Sequence, residues 1–338
     1  MKKQKTLLRR VIIILAVLVL LAALALVGIG NFLVSYAIGR GGDGGNRQVS
    51  LNVDKDAVSS TQSQRELNAA NQKKRNEAFQ AAVTPQSVSI TSEDGLSLVG
   101  GYYAQEGHQW ALVIHGYRSR GQHMLSYAER YYSAGFQVLA PDLRGCGESG
   151  GDYVGMGWPD RLDILRWIDW ILSVDPEAQI VLHGVSMGAA TVMMTSGENV
   201  PAAVVAYVED CGYTSVWDIF ASELGLRFHL PTFPILNVAS GIARLRAGYD
   251  FSNASALEQV ARCDRPMLFI HGDQDNFVPF SMLQPLYEAK PGEKQQLVVP
   301  GAGHGVASTV LGDSYWEAVF DFLAQYGLDQ TAPADAAA

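Results

Sequence analysis

Ser186 lies between two glycines in Gly184-Val185-Ser186-Met187-Gly188 and is the first candidate for chemistry in this sequence. The pentapeptide follows a short apolar run and opens a stretch of small residues, a context that predicts a sharp turn from strand to helix. Such a turn exposes the serine hydroxyl, and the flanking glycines let strand and helix approach closely. Backbone N–H groups at the start of the helix would face an oxyanion formed beside the serine. The pattern therefore indicates a nucleophilic serine for acyl transfer.

A serine hydroxyl is a weak nucleophile without a base, so a histidine is expected later in the chain. His304 lies in Gly301-Ala302-Gly303-His304-Gly305, directly after the last apolar run. The base needs a carboxylate to orient it, and with this type of turn the chain order is serine, acid, histidine. The candidate carboxylates that lie between the two are Asp273, Asp275, Glu209 and Asp210. The chemistry of the residues leaves the choice among them open.

Other residues that bind metals in proteins are present, but their arrangement does not predict a metal site. His115, His183 and His271 each end a predicted strand in front of a glycine, where they are expected to support turns. The cysteines are odd in number and lack metal-ligand spacing, and they allow at most one bridge. These are Cys146, Cys211 and Cys263. We therefore expect no metal and no organic cofactor.

The elements that must position the serine, acid and histidine form a regular series. Short apolar runs alternate with helical patterns, which predicts a largely parallel sheet covered by helices on both faces. The first two runs are joined by Glu93-Asp94-Gly95, a hairpin signal, and should form an antiparallel edge. The predicted strands are 87–91, 96–103, 110–114, 136–140, 180–182, 203–208, 267–270 and 296–299.

One interval, from about Tyr213 to about Val260, is too long for a plain connection between two strands. It is rich in large apolar residues, including Phe220, Leu224 and Phe228. We interpret it as an inserted helical cap over the serine. Tyr117 and Tyr213 are expected to line the pocket beneath it.

The N-terminus predicts a membrane anchor. Val11 to Gly30 carries no charged side chain, and at about 1.5 Å per residue such a helix matches the roughly 30 Å hydrocarbon core. Five basic residues and no acid precede it, so the N-terminus should stay cytoplasmic and the rest of the chain should lie outside. Ser35-Tyr36-Ala37 resembles a signal-peptide cleavage site, but the apolar run is longer than signal peptides usually have. An uncleaved, single-pass anchor is the prediction.

The sequence predicts five consecutive parts of the chain. These are a cytoplasmic basic tail (1–10), the transmembrane anchor (11–36), a linker or stalk (37–85), the folded domain (86–327) and a disordered tail (328–338). The net charge is −9, and the first ten residues hold the dense basic cluster. Nucleic-acid binding needs a basic face, which the remainder lacks.

Several motifs together resemble the α/β-hydrolase superfamily over about residues 87–326, and bacterial membrane-anchored hydrolases of the serine-aminopeptidase-like group in particular. They are His115-Gly116-Tyr117, Asp142-Leu143-Arg144-Gly145-Cys146-Gly147-Glu148-Ser149, the Ser186 turn, the Asp273–Pro279 loop and the His304 loop. The resemblance implies that Asp275 is the acid of a Ser-His-Asp triad. It also implies that the backbone N–H groups of Tyr117 and Met187 form the oxyanion hole. Cys146 departs from the family pattern, where histidine is frequent, without affecting any catalytic role.

These observations predict an α/β-hydrolase fold with an inserted cap and a transmembrane helix. The predicted function is hydrolysis of an ester (carboxylesterase or lipase-like) or a small amide through an acyl-enzyme intermediate. The expected partners are a small acyl ester or short peptide as substrate, and the membrane through the N-terminal helix. The alternatives are a serine aminopeptidase, an acyltransferase and a catalytically silent cell-surface binding protein.

Overall fold

A central sheet forms the core of the protein in a computed structural model that describes residues 2–41 and 58–330. Its eight strands are β1 (Gln86–Thr91), β2 (Ser97–Tyr103), β3 (Gln109–Ile114), β4 (Gln137–Pro141), β5 (Gln179–Val185), β6 (Val204–Asp210), β7 (Met267–Gly272) and β8 (Lys294–Val299). They are ordered β1-β2-β4-β3-β5-β6-β7-β8. β3 to β8 are mutually parallel, whereas β1 and β2 run antiparallel at one edge. The predicted fold class, with its antiparallel edge, is confirmed.

Helices precede and follow the strands, and those of the main domain cover both faces of this sheet. They are α1 (Lys2–Ile38), α2 (Val58–Ala82), α3 (Leu125–Ser133), α4 (Asp160–Val174), α5 (Met187–Ser196), α6 (Val216–Phe228), α7 (Thr232–Ala247), α8 (Ala256–Val260), α9 (Leu283–Ala289), α10 (Ala307–Leu311) and α11 (Asp313–Ala324). Successive residues of β3 point to opposite faces, so Leu112 packs in one apolar core and Val113 in the other. Burial on both faces explains why the parallel strands are apolar along their length.

Two helices, α6 and α7, form the inserted cap. Ser215 caps the start of α6 by accepting a hydrogen bond from the Asp218 backbone N–H at 3.0 Å, and α6 ends at His229 in the left-handed conformation. The next helix, α8, packs against α5 and α9 and therefore belongs to the main domain. Within the predicted interval of about 213–260, the cap helices α6 and α7 cover 216–247, and α8 is a crossover helix of the main domain.

The N-terminal helix α1 is long and apolar enough to cross a membrane. Every side chain from Val11 to Ala25 is exposed. Its last turns pack against α7, and Val34 and Ile38 are buried. The helix therefore runs two residues beyond the predicted end of the anchor, because its final turns gain contacts with the cap.

The segment 58–82 corrects the predicted stalk, because α2 lies along the folded domain. The Arg75 guanidinium pairs with Glu129 at 2.7 Å, and Phe79 stacks on Tyr103 with ring centroids 5.3 Å apart. Residues 42–57 of the predicted linker lie outside the described residues, as does 331–338 of the predicted tail. Leu328, predicted to begin that tail, is fully buried and belongs to the domain.

Candidate active site

Ser186 occupies the turn between β5 and α5, with backbone angles φ 58° and ψ −118°. A positive φ is strained for a residue with a side chain and is held only by the surrounding structure. Glycine is required on both sides. A Cβ on Gly184 would lie 2.1 Å from the Gly188 carbonyl oxygen, and one on Gly188 would lie 2.1 Å from the Ile114 carbonyl oxygen. The Gly-x-Ser-x-Gly pattern therefore reflects close backbone packing on both sides of the serine.

His304 connects the serine to an acid. Its Nε2 lies 2.7 Å from Ser186 Oγ, and its Nδ1 lies 2.7 Å from Asp275 Oδ2. The histidine is in the loop that follows β8, and Asp275 is in the loop that follows β7. All three side chains therefore meet at the carboxyl edge of the parallel strands, where ligands bind in open α/β sheets.

Asp275 is held in place on both of its carboxylate oxygens. Oδ1 accepts hydrogen bonds from the backbone N–H groups of Phe277 at 2.9 Å and Val278 at 3.0 Å. Oδ2 faces His304 and, at 3.4 Å, His271 Nε2. Burial favours the neutral acid, but hydrogen bonds from His271 and His304 outweigh it and lower the pKa of Asp275 to about 2. The group is a carboxylate at neutral pH.

The other candidate acids have different neighbours. Asp273 Oδ1 accepts from the Gly301 backbone N–H at 2.7 Å and so braces the loop that carries His304. Glu209 Oε2 accepts from the Gly212 N–H, and Asp210 Oδ2 accepts from the Tyr315 hydroxyl. Of the four carboxylates considered from the sequence, Asp275 alone hydrogen-bonds to His304.

The loop after β3 passes close to the serine. A Cβ on Gly116 would lie 3.4 Å from Ser186 Cβ and 3.9 Å from its Oγ, so the backbone that leads into Tyr117 borders the hydroxyl. Met187 is the first residue of α5, and its N–H has no acceptor within the helix. The structure thus brings the backbone of both predicted oxyanion donors next to Ser186.

Residues 111–322 match the alpha/beta hydrolase family. The chain belongs to this family. YqkD of Bacillus subtilis is 28% identical over 236 residues, which cover 69% of this chain and 77% of the relative. YNL320W of Saccharomyces cerevisiae, named as a membrane protein, is 25% identical over 201 residues, which cover 58% of this chain and 64% of the relative. The esterase Pf2001 of Pyrococcus furiosus has a TM-score of 0.60 at 23% identity, covers 72% of this chain and 92% of its own, and thus shares the fold.

Two of the three strand-end histidines of this hydrolase contact its loops: His115 contacts the loop after β4, and His271 contacts the loop after β7 through the Val278 carbonyl at 3.1 Å. His183 contacts helices α3 and α11 instead. His115 accepts from the Leu143 backbone N–H at 2.9 Å, and burial lowers its pKa to about 4. His183 lies between the hydroxyls of Tyr131 and Tyr315, and burial lowers its pKa to about 3. Both rings are fully buried and engaged on both nitrogens, which leaves no lone pair for a metal.

One group of potential metal ligands coincides with the hydrolase site. Cys211, Asp275 and His304 have ligand atoms within 4.8 Å of one another. Metal binding would require a thiolate, but burial raises the pKa of Cys211 well above its usual value. Both His304 nitrogens already contact Ser186 and Asp275. The donor set therefore does not fit a resident metal ion.

An apolar pocket leads away from Ser186 beneath the cap. It contains about 780 Å³ of empty space, part of which is open solvent. Tyr117 and Tyr213 line it, as the sequence predicted. Its other apolar lining residues are Leu33, Tyr36, Ala37, Met156, Met187, Ile219, Phe220, Leu224, Phe228, Leu236, Ala239, Phe251 and Phe277.

Sequence reasoning missed the part of this lining that comes from the end of α1. Leu33, Tyr36 and Ala37 were assigned to the anchor or to the linker, and neither assignment gives a residue a role in a pocket. The available signal was Tyr36 itself, an aromatic residue with a hydroxyl just past the apolar run. Tyrosine is also common at the membrane interface of ordinary anchors, so Tyr36 alone did not predict that this segment lines a pocket.

Proposed function

We propose that this hydrolase is a membrane-anchored serine ester hydrolase in which Ser186, His304 and Asp275 act together. The observation that carries the proposal is the unbroken hydrogen-bonded path from Ser186 Oγ through the imidazole to the Asp275 carboxylate, with 2.7 Å at each step. Ser186 attacks the acyl carbonyl while His304 Nε2 takes its proton. Asp275 fixes the tautomer with the proton on Nδ1 and stabilises the imidazolium that forms.

The tetrahedral intermediate needs donors for its negative oxygen, and we assign this role to the backbone N–H groups of Tyr117 and Met187. The closeness of Gly116 to Ser186 and the position of Met187 at the helix start support the assignment. His304 then protonates the leaving alcohol, and an acyl-enzyme remains on Ser186. Water, deprotonated by the same imidazole, attacks this ester and releases the acid.

The pocket favours an ester over a peptide with a free amino terminus. An aminopeptidase needs a carboxylate that faces the substrate's ammonium group. Among the lining residues the one carboxylate is Glu223, and it is engaged by the Arg227 guanidinium. The remaining walls are mostly apolar and suit an acyl chain. The serine aminopeptidase and acyltransferase alternatives are therefore outcomes of the test.

We also propose that α1 is an uncleaved anchor, with the N-terminus cytoplasmic and the catalytic domain outside. The basic residues before the span support this orientation: Lys2, Lys3, Lys5, Arg9 and Arg10. Retention of the helix is supported by its contacts, because the Tyr117 hydroxyl donates to the Ala37 carbonyl and Arg118 donates to the Tyr36 carbonyl at 2.9 Å. Cleavage after Ala37 would leave both donors without these acceptors.

A fluorophosphonate probe tests the mechanism directly, because it reacts covalently with an activated serine. Full-length protein should be labelled, and Ser186→Ala protein should not. Absence of labelling in well-folded wild-type protein would rule out the proposed activity. A panel of p-nitrophenyl esters of graded chain length, beside aminoacyl-nitroanilides, then tests the substrate class. Turnover of the anilides alone would favour the peptidase, and product transfer to added alcohols or amines would identify an acyltransferase.

A further inference from the structure

The end of the membrane helix forms one wall of the acyl pocket. Leu33, Tyr36 and Ala37 of α1 line the same pocket as Ser186. The Tyr36 ring meets Phe228 of α6 edge-on with centroids 5.7 Å apart, and the Tyr36 hydroxyl accepts a hydrogen bond from Arg227 at 3.2 Å. The end of α1 and the cap helix α6 therefore enclose the pocket between them.

If α1 spans the membrane, this wall begins at the depth of the lipid headgroups and reaches their outer edge. If Val11 to Gly30 fill the roughly 30 Å hydrocarbon core, Leu33 lies about 5 Å and Tyr36 about 9 Å beyond it along the helix. The polar interface adds roughly 5–8 Å on each side of a bilayer. Ester linkages of membrane lipids lie at the boundary between chains and headgroups, next to the pocket.

The cap approaches the membrane as well. Arg246, near the end of α7, donates to the Ser35 hydroxyl at 2.9 Å, whereas Val238 and Ile242 would touch a Cβ on Gly30 at 3.0 Å. Earlier residues of α7 thus lie closer to the apolar part of α1. Phe233, near the start of α7, is 76% exposed, a position suited to insertion among lipid chains.

We infer that the substrates are long-chain acyl esters of membrane lipids, with the acyl chain between α1 and α6 and the ester carbonyl at Ser186. The inference rests on the proposed serine hydrolase function and names its substrate class. Ser186 Oγ forms a bond to the acyl carbon, the ester C–O bond breaks, and the lipid alcohol leaves with the proton from His304. Water then releases the fatty acid from the acyl-enzyme.

The test uses full-length protein in phosphatidylcholine vesicles that contain p-nitrophenyl esters from acetyl to palmitoyl. Wild-type protein should prefer long chains. Leu33→Trp narrows the pocket and should lower the palmitoyl rate by about tenfold or more relative to the acetyl rate, as expected for lost room in an apolar site. Leu24→Trp is the matched control, because Leu24 is 60% exposed on the same helix, and it should keep the wild-type profile.

A second variant and a labelling measurement separate the possible failures. Leu33→Ala enlarges the pocket and should extend the preference to longer chains. Fluorophosphonate labelling shows whether each variant keeps a folded, active serine. If the wild-type protein is not labelled, the proposed serine hydrolase function itself is ruled out. Normal labelling with an unchanged chain-length profile in both Leu33 variants overturns this inference alone.

Delivery from the membrane is tested by placing the palmitoyl ester either in the vesicles that hold the protein or in separate vesicles. Hydrolysis should be much faster in the shared vesicles, because the substrate reaches the pocket laterally. Equal rates in the two arrangements would mean that substrate arrives through water, and lipid esters would then be rejected as the substrate class.

Discussion

Asp273 and Asp275 are two residues apart, yet they contact different partners. Asp275 hydrogen-bonds to His304, whereas Asp273 accepts from the Gly301 N–H on the loop that carries this histidine. Asparagine can replace Asp273 as an acceptor. At position 275 its amide would favour the wrong imidazole tautomer.

We therefore expect Asp275→Asn to lower kcat by about 10⁴-fold, the loss typical of this change in a Ser-His-Asp triad. Asp273→Asn should keep kcat within roughly tenfold of wild type, since one neutral hydrogen bond is worth about 1 kcal/mol. Steady-state kinetics with a soluble ester measures both. A larger loss in Asp273→Asn than in Asp275→Asn would show that the acid was assigned to the wrong residue.

Glu209 gives the fold a pH dependence. Its side chain is fully buried, and Oε1 has no hydrogen-bond partner among the described residues. Burial raises the pKa of Glu209 to about 8 from an ordinary value of 4.5. Folding must therefore take up a proton between these two pH values. The stability of the protein should fall as pH rises through this window, by up to about 1.4 kcal/mol per pH unit, and then level off.

Glu209→Gln mimics the protonated acid and removes the part of this dependence that comes from Glu209. Asp160 and Asp210 keep their own contributions, because burial raises their pKa values to about 7 and about 6. The variant should match wild type near pH 5 and unfold at a higher temperature than wild type near pH 8. Thermal unfolding of full-length protein in detergent measures the difference. Glu317→Gln on the exposed side of α11 serves as the control and should not alter the pH profile. A constant difference between Glu209→Gln and wild type across the window would contradict a buried titrating acid.

At the scale of elements, the contact between α1 and α7 depends on a glycine. A Cβ on Gly30 would lie 3.0 Å from the side chains of Val238 and Ile242, whereas one on Gly28, half a turn earlier, would meet nothing within 4 Å. The same substitution can therefore be compared at a packed position, Gly30, and at an open position, Gly28, of one helix.

Gly30→Leu should destabilise the full-length protein by about 1–3 kcal/mol through overpacking, whereas Gly28→Leu should be neutral. For a domain of this size, each kcal/mol corresponds to roughly 2–4 °C in Tm. Tryptophan fluorescence during thermal unfolding in detergent measures the shift. Identical Tm values for the two variants would show that α1 does not pack against α7.

The sequence predicted the sheet well because its parallel strands are buried on both faces and are apolar throughout. The Ser186 turn and the His304 loop were also recognisable, since their glycines reflect backbone contacts that permit few alternatives. Residue chemistry left the acid open among four carboxylates, and the resemblance to the hydrolase family selected Asp275. The final distinction depends on contacts between loops that are far apart in the chain.

The docking of α2 was missed for a physical reason. A helix usually reveals its buried face by a stripe of apolar residues, and α2 has few of them. It attaches through Phe79 and through polar contacts such as Arg75 with Glu129 and Asn68 with the Thr309 carbonyl. Polar partners of this kind leave no periodic pattern, so the segment resembled a solvated stalk.

At the scale of the whole molecule, the main prediction concerns the side of the membrane on which the domain lies. The exposed apolar surface of α1 and the basic residues before it predict that the domain lies outside the cell. Protease treatment of intact expressing cells should remove a C-terminal tag, while a tag at the N-terminus stays protected. A protected C-terminal tag would reverse the orientation. Permeabilised cells, in which both tags become accessible, provide the control.

Tyr117 has a consequence for how the enzyme is made. Its backbone follows the glycine that borders Ser186, and its hydroxyl donates to the Ala37 carbonyl at the end of α1. During translation the first 38 residues leave the ribosome before any of the strands that hold the site. A copy made without residues 1–38 would lack the Ala37 acceptor and the α1 wall of the pocket. We therefore expect removal of the helix to cost the enzyme its activity as well as its anchor, so the two properties would be lost together.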